Sequence, residues 1–100
     1  MAKFTNTRDL CGKVFSNFDS YSNRTIEFII GSVEFFKNYV SVNGHARKNP
    51  NDPDNREFDE NAPRSTSFNY YEFGELMKTG VSTMKFTING TNNYRKFTIN

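Results

Sequence analysis

The hydrophobic pattern changes period several times along the chain, and each change marks an element. Residues 1–11 hold no sustained period and read as irregular. Between Lys13 and Phe18, the residues Val14, Phe15 and Phe18 make a strand-like run. Leu10, Val14 and Phe18 at four-residue spacing fit a helix as well, so both readings stand. Asp19 to Asn23 is turn chemistry. Thr25 to Phe36 then sets Ile26, Phe28 and Ile30 on alternate positions, the pattern of a half-buried strand, and Gly31 signals a bulge or a close backbone approach. Lys37-Asn38 predicts a tight turn. Tyr39 to Lys48 reads as a further strand, with Val40 and Val42 turned to one side.

Asn49 to Pro63 breaks the pattern. It is rich in Pro, Asn and acids, Phe58 is its only large apolar residue, and it predicts a solvated loop. Arg64 to Phe68 is a short strand leading into the best-defined helix. Asn69 and Glu72 have the spacing of a capping box, and Phe73, Leu76 and Met77 form an apolar stripe. Lys78 suits the negative end of the helix dipole, and Gly80 suits the position just past the last turn. The tail predicts a hairpin: Met84 to Ile88 and Tyr94 to Ile99 around Asn89-Gly90, which supply the positive φ of a tight turn. Both strands contain Lys-Phe-Thr-Ile-Asn, read as shared strand chemistry and not as a repeated domain. The order of strands, helix and hairpin makes an α+β domain spanning residues 1–100.

Composition sharpens this picture. Eleven Phe and five Tyr stand against two leucines, Leu10 and Leu76, so the core is expected to be aromatic and β-branched, which favours sheet. A chain this short buries a modest fraction of its surface, which makes a homodimer a reasonable expectation. Cys11 is the sole cysteine, so neither an internal disulfide nor a thiolate metal cluster is expected. No apolar run approaches a membrane span, and the N-terminal residues lack the apolar core of a signal peptide. The expectation is a cytoplasmic protein, in the host cytoplasm if viral.

The net charge of +2 is informative only when mapped. Residues 52–60 hold five acids and one base, which leaves twelve bases against six acids elsewhere. A basic body suits a polyanionic partner. Sequence-tolerant single-strand binders combine cations that track phosphates with rings that stack on bases. Tyr39, His45 and Arg47 share a parity opposite to Val40 and Val42, so they are expected on one outward face, with Lys37 and Lys48 nearby. Phe36 at the turn is a further stacking candidate, although Phe36 and Tyr39 are also readable as core. The acidic loop is a candidate competitor for the cationic face. One His, one Cys, no convergent motif, no phosphate-binding glycine loop and no calcium-loop spacing predict no enzyme, no cofactor, no metal and no small-molecule substrate.

The stretch Ser67-Phe-Asn-Tyr-Tyr-Glu-Phe-Gly-Glu-Leu-Met-Lys resembles the helix start of the positive cofactor four family of single-stranded-DNA-binding transcription coactivators. The matching places hold Ser67, Phe68, Asn69, Glu72, Phe73 and Leu76. Phe36-Lys37 and the strand that follows resemble the family's turn and next strand. His45, Arg47, Lys48, Asp52-Pro53 and Arg64 then follow in the family's order. The resemblance covers residues 24–80. Tyr39 stands where the family has a lysine, and the loop is longer and more acidic than the family's.

That resemblance implies a curved antiparallel sheet of about four strands followed by one helix, with the hairpin at 84–100 as an addition. It implies a homodimer paired through the helices at Phe73, Leu76 and Met77. It also implies single-stranded DNA across the sheet, contacted by Phe36, Lys37, Tyr39, His45, Arg47, Lys48 and Arg64, in replication, recombination or transcription. RNA would satisfy the same chemistry. The alternative reading is a small phage-type inhibitor or regulator that binds a host protein through exposed rings or the hairpin edge.

Overall fold

The computed structural model describes residues 3–99. Its elements are β1 (Val14–Asp19), β2 (Arg24–Phe35), β3 (Val40–Arg47), β4 (Phe58–Phe68), α1 (Tyr70–Thr79), β5 (Val81–Ile88) and β6 (Thr91–Ile99). A short 3-10 turn, Thr7–Leu10, precedes β1 and is capped by Asn6 and Asp9. All six strands form one antiparallel sheet in the order β4-β3-β2-β1-β6-β5.

This corrects the expected architecture. The chain is mostly β, with one six-stranded sheet and a single helix, and not a four-stranded sheet carrying a separate hairpin. The reason lies at β1. Pairing with β2 leaves its second edge open, and β6 fills that edge with Phe15 opposite Ile99 and Asn17 opposite Phe97. The backbone donors of β1 are thereby satisfied on both sides, and two more apolar side chains reach the core.

The helix links the two outermost strands, β4 and β5, and so returns the chain from one edge of the sheet to the other. Its start carries the expected capping box. Asn69 accepts from the Glu72 amide at 2.8 Å, and the Asn69 amide donates to the Glu72 carboxylate at 2.9 Å. Gly80 ends it in the left-handed region at φ 79°, its amide donating to the Leu76 carbonyl. The stripe expected to join a second copy is inside this chain instead. Phe73 is 6% exposed and Leu76 0%, and Met77 is partly buried against the same core. The physical reason is that a one-layer sheet must cover one face, and this stripe is its cover.

On that face Phe15 packs between Phe28 (centroids 4.8 Å apart) and Phe97 (5.7 Å), and Phe68 meets Phe97 edge-on at 4.8 Å. Val40, Val42, Ile30, Ile99, Leu10 and Phe4 complete the core. The N-terminal segment adds cover by donating from the Lys3 and Phe4 amides to the Lys78 and Met77 carbonyls at the helix end.

A second correction concerns Asn49 to Pro63. The loop ends at Asn55–Glu57, and Phe58 to Pro63 belong to β4, with Arg47 opposite Phe58 and a register shift between His45 and Arg47. A polar run serves here because β4 is an edge strand. Its acids and Pro63 also discourage pairing with other chains. Gly31 makes the bulge in β2, and Gly44 lies so close to β2 that a Cβ there would collide with the Ile29 carbonyl.

Candidate nucleic-acid interface

The face away from the helix is open, and strand alternation decides what it displays. Along β3, Val40 and Val42 are buried in the core, and Ser41, Asn43, His45 and Arg47 project the other way, as their parity predicts. The outcome for the expected contact residues is nevertheless divided among separate places.

Phe36, Lys37 and Tyr39 sit at the tip of the β2–β3 hairpin. Phe36 and Tyr39 stack on each other (4.7 Å, 15°), each about two-fifths exposed, so Tyr39 is a turn residue and not a member of the β3 face. His45 lies mid-face, half-buried, its ring 5.3 Å from Phe58. Lys48 is exposed, 3.9 Å from the Glu57 carboxylate, and Arg64 is exposed on the edge strand, donating to the Pro63 carbonyl.

Arg47 is a correction. It is 9% exposed, and its guanidinium donates to the backbone carbonyls of Asp52 and Asn55 while facing Glu27 at 3.6 Å. The Asn49–Asn55 segment folds over it, so the cation has carbonyl and carboxylate partners already and is closed to a phosphate. The loop is accordingly anchored by its own main chain, with the Asp52 and Asp54 side chains left at the surface.

A different group assembles where β6 joins β1. Ser16, Phe18, Thr98, Lys96, Thr83 and Lys85 share the open face through the pairings Phe18–Lys96, Thr83–Lys96 and Lys85–Tyr94. The Tyr94 ring lies 5.9 Å from that of Phe18, and Tyr94, Lys85 and Lys96 are exposed. A groove of about 600 Å³ follows the hairpin along Thr83, Lys85, Thr87 and Tyr94. Residues 81–99 contain no Asp or Glu. The shared Lys-Phe-Thr-Ile wording has a geometric meaning. Lys85 and Lys96 point to the open face, Phe97 is buried in the core, and Phe86 lies on the helix side under the Arg95 guanidinium. The sequence signal was there, in outward lysines flanking Tyr94, but it becomes a site only once β6 is known to lie beside β1.

Among the described residues, no group of three or more His, Cys, Asp and Glu is placed to hold a metal ion. Cys11 donates to the Gly31 carbonyl at 3.5 Å. No family model, curated protein or solved structure matches this chain. The functional argument therefore rests on the geometry of the open face.

Proposed function

We propose that the chain binds single-stranded nucleic acid across the open sheet face, centred on β1, β6 and β5. The observation that carries this reading is the ring pair of Phe18 on β1 and Tyr94 on β6, flanked by Lys85 and Lys96 on β5 and β6, two strands that have no carboxylate. Rings on a sheet offer stacking surfaces of about 1–3 kcal/mol per base, and lysines beside them neutralise the phosphates between bases. Such a surface tolerates sequence, because every base has a π-face. It serves replication, recombination or transcription equally well, with no bond made or broken.

The test is fluorescence anisotropy with a labelled oligothymidylate, in a salt series. Wild type is expected to bind with affinity falling linearly in log–log form, at roughly 0.7 of slope per phosphate contact. Tyr94→Ala is expected to weaken binding about tenfold with the slope unchanged. Absence of binding at low salt, or variants that bind as wild type does, would defeat the reading.

A second reading has its own observation. Phe35, Phe36, Tyr39, Tyr70 and Tyr71 are all exposed near the start of α1, with Phe35 stacked on Tyr70 at 6.5 Å and the Tyr70 hydroxyl bonded to the Phe36 carbonyl. A surface of rings with little charge suits a protein partner, as the inhibitor alternative requires. Salt-insensitive capture of a protein, lost in Tyr71→Ala, would favour it.

A further inference from the structure

Away from the β5–β6 lysines, the open face holds two adjoining hollows that share Gly31 and His45. One, about 490 Å³, has Ile29 at its apolar base, the Phe58 and His45 rings on one side, and Arg56 beside them. The other, about 630 Å³, is polar, with Ser32, Asn43, Ser65 and Arg64. Gly31, at the β2 bulge, lines both and contributes no side chain to either.

Two features give the hollows a ligand preference. Phe58 leaves 48% of its surface exposed, with the half-buried His45 ring 5.3 Å away, so a flat ring has an aromatic surface to lie against. No carboxylate lines either hollow. Arg56 and Arg64 also lack an acidic partner within 4.0 Å among the described residues, whereas Arg47, Lys48 and Arg95 each have one. This holds for Arg56 although five acids crowd residues 52–60.

We propose that the paired hollows hold one nucleotide, its base against Phe58, His45 and Ile29 and its sugar-phosphate among Asn43, Ser32, Ser65 and Arg64. A planar apolar group joined to an anion is the chemistry that satisfies both halves at once. A bare phosphate would leave the apolar half empty, and an apolar ring alone would leave the arginines unpaired. The site deepens the single-strand reading, on which it rests for the choice of a nucleotide among ring-bearing anions. It would anchor one residue of a strand whose neighbours run toward Tyr94.

The experiment is an amide and histidine-ring NMR titration of the full chain with thymidine 5′-monophosphate, with thymidine and with inorganic phosphate. It is paired with oligothymidylate anisotropy on Phe58→Ala and Arg64→Ala. The nucleotide is expected to shift Gly12, Ile29, Gly31 and His45 more strongly than thymidine or phosphate. Phe58→Ala is expected to weaken both nucleotide and oligonucleotide about tenfold with the salt slope intact. Arg64→Ala is expected to lower the slope by about 0.7. Phe58 is exposed, so its variant keeps the fold, which the unshifted remainder of the spectrum verifies.

No shift up to about 10 mM nucleotide, or equal shifts with phosphate alone, overturns the site. Oligonucleotide binding indifferent to Phe58→Ala also overturns it, while leaving the β5–β6 reading in place. Nucleotide shifts at Gly31 and His45 in a chain that retains no oligonucleotide support the site and defeat the polymer reading.

Discussion

Arg47 shows how a side chain with the right parity can have the wrong availability. Its position on the open face follows from β3 alternation, but its partners come from a loop five to eight residues downstream and from β2. Removing the guanidinium would leave two carbonyls without their donor and the Glu27 carboxylate without its facing charge. Arg47→Met is therefore expected to cost about 2–3 kcal/mol in urea denaturation, less than the loss of one partner of a fully buried charged pair because Glu27 is partly solvated. It is expected to reduce oligonucleotide affinity little at temperatures where the variant stays folded. A stable variant with lost affinity would return Arg47 to the contact surface. Gly44 is constrained more simply. Gly44→Ala would drive a methyl group into the Ile29 carbonyl and the Phe28 ring, so β2 and β3 must separate. The expected loss is about 1–3 kcal/mol or failure to accumulate as folded protein, read by thermal melting.

At the scale of elements, legibility follows the range of the interactions. The helix could be read before the structure because its determinants are local: Asn69 with Glu72 at the start, Gly80 at the end, and a stripe at helical spacing between them. The Asn89-Gly90 turn was legible for the same reason, with φ of 51° and 79°. The competing strand and helix readings of residues 10–18 were decided by pairing with β2 and β6, which no local pattern contains. The early start of β4 was hidden because an edge strand needs few apolar residues, and the place of β6 because it pairs with a strand some eighty residues earlier. The open face was half legible in the same sense: the outward side of His45 follows from β3 alone, but the Tyr94–Phe18 pair needs the β1–β6 contact. The helix now carries a sharp expectation. Phe73→Ala removes a ring packed edge-on against Phe35 and sealed over the sheet, and is expected to cost about 3–5 kcal/mol at any protein concentration. A loss that disappeared as concentration rose would instead place that ring between copies of the chain.

For the whole molecule the decisive property is where charge lies along the sheet. One end of the open face has Lys85 and Lys96 with no acid in residues 81–99, and the β3–β4 end has the acids of residues 52–60 on an anchored loop and edge strand. Because main-chain carbonyls bind the loop to Arg47, its carboxylates form a standing negative rim and do not swing onto the lysines. A fixed rim acts through space. Its repulsion on a bound strand should fade beyond the Debye length, which falls from about 30 Å at 0.01 M salt to about 10 Å at 0.1 M. Replacing Asp52, Asp54, Asp59 and Glu60 by their amides is therefore expected to raise oligonucleotide affinity several-fold near 0.01 M salt and hardly at all near 0.15 M, which steepens the measured salt dependence. Lys85→Ala with Lys96→Ala is expected to do the opposite, flattening the slope by about 1.4 for two lost phosphate contacts. If the amide variant gained equally at every salt concentration, the loop would have to be competing by direct contact, and the Arg47 anchor would have to open when the ligand arrives.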